Sequence, residues 1–105
     1  FHDIDVLYSH SDEMTLGAID AFTELAPDKL DELVIISIDG QKDAIDLLKS
    51  GIINCVVECN PHVGWYVQNA ISRHLSGNHL QKEIYVPETV FSDQGDLSMI
   101  PTRNY

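Results

Sequence analysis

A chain of 105 residues with a hydrophobic content of 44% is long enough to build one domain around a core. Its 17 acidic residues outnumber its 6 lysine and arginine residues, and the formal net charge of -11 makes nucleic acid and anionic membrane surfaces poor partners. No apolar run approaches the roughly 20 residues of a membrane span. No signal peptide precedes the first predicted strand, and we interpret this start as that of a processed product or a fragment.

Strand and helix patterns alternate over the first part of the chain. Short apolar runs predict strands at residues 4–8 and 52–59. The run at residues 33–40 predicts a strand that is buried on both faces, as parallel strands covered by helices are. Apolar positions that recur every three or four residues predict helices over residues 12–25 and 41–50.

The rest of the chain predicts one more helix and one more strand. Asn60 and Pro61 suit the N-cap and the first position of a helix that ends near residue 76. Residues 83–91 predict a final strand, and residues 93–105 predict irregular structure. The order βαβαβαβ predicts an α/β fold with right-handed crossovers and a mainly parallel sheet.

The two cysteines, Cys55 and Cys59, lie four positions apart on a predicted strand. Their Cα atoms would then be about 13 Å apart, which is too far for a disulfide. This spacing is also a poor zinc signature, and the histidines lack the spacing of metal ligands. We therefore expect two free and mostly buried thiols, no metal site and no cofactor.

Polar residues follow three of the predicted strands, at positions 9–12, at Asp39 and at positions 58–60. Because the carboxyl ends of adjacent parallel strands meet at one edge of a sheet, we expect these residues to converge on one rim, where open α/β sheets bind ligands. Each also has a purely structural interpretation. Asp39 could form a turn with the glycine after it, and Asp12 and Glu13 suit an ordinary capped helix start, which is the interpretation we favour for those two acids.

Three segments together resemble the carboxyl-terminal part of type I periplasmic sugar-binding proteins, the ribose- and galactose-binding class of ABC importers. They are SDEMTLGA at residues 11–18, IISIDG at residues 35–40 and VECNP at residues 57–61. The last of these, together with IPTRNY at residues 100–105, most resembles the galactofuranose-binding branch. The resemblance covers nearly the whole chain.

The resemblance implies a partial type I periplasmic-binding-protein fold, in which two α/β lobes are joined by crossing strands and hold sugar between them. Residues 1–60 would form a βαβαβ half of the carboxyl-terminal lobe, and residues 61–105 the crossover helix, strand and tail of the other lobe. The implied function is that of a non-enzymatic, exported carbohydrate-binding component of an ABC importer, in the periplasm or outside the cell. Its partners would be a monosaccharide (a pentose or hexose, furanose forms included) and the membrane subunits of the transporter.

The same resemblance implies four candidate sugar ligands. Ser11 stands where the family usually has an asparagine, and Asp39 matches the pocket aspartate, whose carboxylate can accept from two neighbouring sugar hydroxyls. A Gln or Glu at the crossover matches Glu58 when counted from the following glycine, and Cys59 when counted from the following proline. Ile38 replaces an aromatic residue that stacks on the sugar ring in some members.

Two other classes of function stay open at this level. The effector-binding domain of a lactose-repressor-type regulator shares this fold, and its DNA-binding helices would lie upstream. A small α/β enzyme or response-regulator-like domain could use Asp12, Glu13 and Asp39 as an acidic metal pocket. No glycine-rich phosphate loop or nucleophile elbow supports that last alternative.

The helix after Pro61 predicts self-association of a fragment. In a two-lobe protein its apolar stripe would pack on a lobe that this chain lacks, so the fragment must cover it in another way. We therefore expect self-association and little or no sugar binding by the chain alone. The stripe consists of Val63, Val67, Ala70, Ile71 and Leu75.

Overall fold

The computed structural model describes residues 3–105 and contains one four-stranded sheet with the spatial order β1-β2-β3-β4. The strands are Val6–Tyr8 (β1), Val34–Asp39 (β2), Cys55–Glu58 (β3) and Val90–Ser92 (β4). The helices are Asp12–Leu25 (α1), Pro27–Leu30 (α2), Lys42–Ser50 (α3) and Gly64–Leu75 (α4), and a short 3-10 helix covers Leu97–Met99.

The sheet is mostly parallel, and the predicted α/β class is confirmed. β1 pairs with β2 and β2 pairs with β3 in parallel, whereas β4 is antiparallel to β3. The two parallel pairs are joined through helices that pack on the sheet, as right-handed crossovers require. β4 has the opposite direction because the chain between β3 and β4 does not cross back over the sheet. It leaves the sheet after β3, forms α4 away from the sheet and returns at the same edge.

The hydrophobic core lies where α1 and α3 pack on the two central strands. Ile35 of β2 and Val56 of β3 are fully buried, and Leu48 of α3 is fully buried against them. Ile19 supplies the buried contact from α1. β3 alternates buried and less buried residues with a period of two, so Val56 and Glu58 face inward.

The helix after β3 begins later than predicted. α4 starts at Gly64, and the N-cap position is occupied by Val63. The predicted N-cap Asn60 instead accepts a hydrogen bond from the backbone N–H of His62 at 2.8 Å, which forms a local turn. No residue of α4 is buried, and Leu75 is 80% exposed. The predicted apolar stripe is therefore present, and its larger side chains are exposed, namely those of Val63, Val67, Ile71 and Leu75.

The last strand is also shorter than predicted. Only Val90–Ser92 pairs with β3, and residues 83–89 lie outside the sheet. The described part of the molecule measures 60 × 27 × 20 Å. Within residues 3–105, no helix has both the length and the apolar character required to cross a bilayer.

Both cysteines are free, as predicted, but the prediction that they are mostly buried is wrong. Cys59 is exposed because it lies just beyond the end of β3, and Cys55 is half-buried because it faces away from the core side of that strand. Burial raises the pKa of the Cys55 thiol, and the negative charge of Asp93 adds to this effect.

Candidate ligand-binding site

The carboxyl ends of β2 and β3 bring two of the predicted site residues together. Asp39 and Glu58 are the last residues of their strands and are direct partners in the parallel register. The backbone N–H of Cys59 donates to the carbonyl oxygen of Asp39 at 2.9 Å, which continues the pairing beyond the strands. Ser11 lies at the same edge, because it precedes α1 at the carboxyl end of β1.

Asp39 has an unusual backbone at this edge. Its φ is 126°, a positive value that residues other than glycine rarely adopt. Such a conformation costs about 1–3 kcal/mol and persists only where the surrounding structure stabilises it. The carboxylate Oδ2 accepts a hydrogen bond from the backbone N–H of Asp12 at 3.4 Å. Asp39 is half-buried.

Asp12 is buried beside Asp39, and this corrects our interpretation of Asp12 as part of an ordinary helix start. Its exposed fraction is 0%. Its Oδ2 accepts from the backbone N–H groups of Gly40 at 2.8 Å and Gln41 at 2.6 Å, and its Oδ1 accepts from the Ser37 hydroxyl. The carboxylate thus ties the start of α1 to the turn that follows Asp39.

The pKa of Asp12 is raised above its ordinary value, mainly because burial disfavours the charged form. The hydrogen bonds from Ser37, Gln41 and Gly40 act in the opposite direction, and the nearby charge of Asp39 adds to the increase. The three donors therefore offset only part of the effect of burial on the pKa of Asp12.

A short buried polar chain links Asp12 to Ser11. The hydroxyl oxygens of Ser37 and Thr15 are 2.6 Å apart, and the Thr15 hydroxyl lies 3.0 Å from the carbonyl oxygen of Ser11. Thr15, Ser37 and Asp12 are all fully buried. The first two strand ends of the rim are therefore connected through the interior as well as through the sheet.

Ser11 occupies the N-cap position of α1 with extended backbone, but its side chain makes no capping hydrogen bond. Its carbonyl oxygen accepts from the Thr15 backbone N–H at 3.0 Å and from the Ser9 hydroxyl at 3.0 Å. The Ser11 side chain is half-buried at the rim. The backbone of Ser11 is therefore held in place, while its hydroxyl is not used to cap the helix.

Glu58 is buried and already engaged, with an exposed fraction of 6%. Its Oε1 accepts from Arg103 Nη1 at 2.5 Å and lies 3.4 Å from the hydroxyl of Tyr105. Its Oε2 accepts from the backbone N–H of Thr89 at 3.1 Å. The sequence alone did not indicate Arg103 and Tyr105; their segment, IPTRNY, was notable only through the family resemblance.

Cys59 and Glu58 were alternatives for one position, and their side chains have different surroundings. Cys59 is exposed to solvent, whereas Glu58 faces the interior and the tail of the chain. Among residues 3–105, no group of three or more His, Cys, Asp or Glu side chains is arranged to hold a metal ion. Asp12 instead accepts hydrogen bonds from protein donors.

A cavity of about 250 Å³ adjoins this edge, beside the start of α3. The carbonyl oxygen of Tyr105 accepts from the backbone N–H of Lys42 at 2.6 Å, so the tail forms one wall of the cavity. It is lined by Gln41, Lys42, Asp43, Asn104 and Tyr105.

Several known proteins are similar to this chain over most of its length. It is 33% identical over 86 residues to the ribose import binding protein of Bacillus subtilis (strain 168), a match that covers 81% of this chain and 27% of that protein. It is 28% identical over 96 residues to the galactofuranose-binding protein of Escherichia coli (strain K12), covering 83% of this chain and 30% of that protein. The chain thus spans between a quarter and a third of these relatives. No protein-family model matches it.

Solved structures show the same partial correspondence. A protein from Mycobacterium smegmatis in complex with beta-D-fucofuranose matches with a TM-score of 0.78 and 26% identity, over 87% of this chain and 30% of that one. The periplasmic binding protein component of the arabinose ABC transporter from Shewanella sp. ANA-3, bound to alpha- and beta-L-arabinofuranose, matches with a TM-score of 0.74 and 32% identity. That match covers 86% of this chain and 30% of the Shewanella protein.

Proposed function

We propose that this chain, which is homologous to part of the solute-binding components of ABC sugar transporters, supplies one wall of a sugar-binding cleft. The relatives are sugar-binding proteins and not enzymes. The observation that carries the proposal is the pairing of Asp39 with Glu58 at the carboxyl edge of the parallel strands, with Ser11 at the same edge. Open α/β sheets bind their ligands at this edge.

Asp39 is the principal sugar ligand in this proposal. An ionised carboxylate has about four acceptor positions, and the Asp12 amide uses one of them. The others are available to two neighbouring hydroxyls of a sugar, which a planar carboxylate matches in geometry. The Ser11 hydroxyl adds a shorter donor and acceptor than the asparagine that the family usually has, and Cys59 contributes only a weakly polar thiol at the outer rim.

The ligand class in this proposal is an uncharged monosaccharide, a pentose or hexose, with furanose forms favoured. Relatives of this chain have been solved with fucofuranose and with arabinofuranose. Glu58 is paired with Arg103, so Asp39 is the carboxylate of the rim that is left for a ligand. Ile38, where some members of the family have an aromatic residue, offers no ring for stacking.

The physiological setting is proposed on the same basis. The chain would act as part of an exported receptor, in the periplasm or outside the cell, that delivers sugar to the membrane subunits of an importer. The division into one lobe over residues 1–60 and a second over residues 61–105 also stays a proposal, and in this structure β4 pairs with the same sheet as β1 to β3.

Titration followed by nuclear magnetic resonance tests the proposal on the chain itself. Arabinose, galactose and ribose are added to the isotope-labelled chain into the millimolar range, since a single wall of a cleft binds weakly. The sequence predicts little sugar binding by the chain alone, so we expect weak but saturable shifts, at the amides of Asp12, Gly40, Gln41 and Cys59.

The matched variants in this titration are Asp39→Asn and Asp20→Asn. Asp20 is an exposed acid on α1, away from the rim, so its variant controls for the loss of one charge. We expect Asp39→Asn to abolish the sugar-dependent shifts and Asp20→Asn to leave them unchanged. Shifts that are equal in both variants, or no shift with any of the sugars, would contradict the proposal.

A further inference from the structure

Glu58 stands at the point where the chain leaves the sheet, and Thr89 at the point where it returns. Glu58 is the last residue of β3, and Thr89 directly precedes β4. The two residues are joined twice: the Glu58 backbone N–H donates to the Thr89 carbonyl at 2.8 Å, and the Thr89 N–H donates to Glu58 Oε2 at 3.1 Å. Between them lie residues 59–88, which contain the uncovered helix α4.

Arg103 fixes the other oxygen of the Glu58 carboxylate. The Arg103 and Glu58 side chains are only 9% and 7% exposed, and they are joined by the Nη1–Oε1 contact of 2.5 Å. The guanidinium lies over the ring of Phe91 at 5.0 Å and over that of Tyr105 at 5.6 Å. Arg103 Nη1 also donates to the Tyr105 hydroxyl at 2.7 Å, whereas Nε has no hydrogen-bond partner among residues 3–105. The ion pair, this hydrogen bond and the ring contacts therefore determine the orientation of the group.

We propose that Arg103 is a positioning residue of the candidate sugar site, which it controls through Glu58. This proposal rests on the function proposed above. By holding the Glu58 carboxylate, Arg103 keeps Oε2 on the Thr89 amide and closes the neck, defined here as residues 58–59 and 88–89. It also compensates the charge of Glu58, so that the rim beside Asp39 contains one carboxylate for an uncharged sugar instead of two.

A double-mutant cycle read by amide hydrogen exchange tests this role without any sugar. In Arg103→Leu the Glu58 carboxylate loses its cation, and we expect the Thr89 amide to exchange about tenfold faster or more. Thr89 and Arg103 donate to different oxygens of Glu58, and Glu58→Gln leaves an oxygen at only one of these two positions. The Thr89 amide should therefore also exchange faster.

The double variant combines Glu58→Gln with Arg103→Leu. The side-chain oxygen at position 58 can then accept from the Thr89 amide, because no arginine competes for it. We therefore expect protection to recover to within about threefold of the wild type. The matched control is Arg73→Leu, because Arg73 is the other arginine of the chain and lies exposed on α4. The Asn54 amide, which donates to the Ile35 carbonyl, reports on the opposite end of the strand pair. It should change little in all variants.

Additive losses in the double variant would overturn the proposal, because Arg103 would then act only by packing on Phe91. If Arg103→Leu does not fold, the cooperative thermal transition of the double variant decides instead: its recovery supports the proposal, and its absence overturns it. None of these measurements uses a ligand. Failure of the sugar titration would therefore remove the sugar site but leave the coupling of Arg103 to the neck as a separate result.

Discussion

The backbone amide of Asp12 donates to the carboxylate of Asp39 at 3.4 Å, although the two residues belong to different strand ends and are 27 positions apart. The Asp12 side chain in turn accepts from the amides of Gly40 and Gln41, directly after Asp39. Asp39 is therefore held from both sides by one buried residue. These hydrogen bonds between Asp12 and residues 39–41 compensate for the positive φ of Asp39 and hold its carboxylate at the rim.

Replacing Asp39 should cost sugar affinity more than it costs stability. In the intact binding protein of which we propose this chain is a part, Asp39→Ala removes a charged acceptor for the sugar. We expect binding to weaken there by about 1.5–3 kcal/mol or more, the usual scale for hydrogen bonds to charged groups. Calorimetric or resonance titration measures this loss. Cys55→Ser is the comparison for a residue of the same sheet outside the rim, and it should lower stability and leave affinity nearly unchanged. Equal affinity of the wild type and Asp39→Ala would remove Asp39 from the site.

Replacing Asp12 should destabilise the fold. Asp12→Ala leaves the Ser37 hydroxyl and the amides of Gly40 and Gln41 without their acceptor, at about 1–3 kcal/mol for each buried donor. We expect urea denaturation to show a loss of about 3 kcal/mol or more. Asp12→Asn keeps one oxygen for the two amides and should cost less. The control is Glu13→Ala, which removes the exposed neighbouring acid. If it loses as much stability as Asp12→Ala, the charge at the start of the helix is responsible, and not the hydrogen bonds of Asp12.

The raised pKa of Asp12 predicts a pH dependence of a definite sign. Because its folded-state pKa lies above the ordinary value of 3.8, the folded chain binds the proton more tightly than the unfolded chain does. The Asp12 contribution is therefore fully present below about pH 4 and is lost as the pH rises through the folded-state pKa. The free energy of unfolding of the wild type minus that of Asp12→Asn should fall over this range and then level off. A difference that rises with pH would contradict the assignment.

The uncovered face of α4 predicts self-association of the chain. Burying its larger apolar side chains against a second copy would gain about 1.5–3 kcal/mol each. Sedimentation should show species larger than the monomer, and more of them at high salt, because salt screens the net charge of -11. Ile71→Glu with Leu75→Glu should give a monomer, whereas Asp20→Glu should not. A compact wild-type monomer at all salt concentrations would contradict this prediction.

The two thiols should differ in reactivity. Cys59 is exposed at the rim, whereas burial and Asp93 raise the pKa of Cys55 and disfavour its thiolate. We expect a maleimide to label Cys59 first, and mass spectrometry after digestion identifies the modified residue. Because the Cys59 backbone N–H donates a hydrogen bond to the carbonyl oxygen of Asp39, this label should also reduce sugar-dependent shifts at the rim. Faster labelling of Cys55 would mean that β4 opens readily from β3.

The elements whose signals are local could be predicted from the sequence. The periodicity of residues 12–25 defines α1 to the residue, and α3 ends where Gly51 adopts a φ of 86° that suits glycine. The same patterns predicted a parallel arrangement of strands, and from it the meeting of Asp39 and Glu58 at one edge, because parallel strands share their carboxyl ends.

Tertiary structure decided the contacts between residues far apart in the chain. Arg103 and Glu58 are 45 positions apart, and only the return of the tail across β4 brings them together. The burial of Asp12 depends on where the turn after β2 falls relative to α1, which no local pattern records. The start of α4 at Gly64 was decided by the Asn60 turn, which competes locally with helix capping. Propensity and periodicity act over a few residues, whereas these interactions depend on the register and packing of the complete sheet.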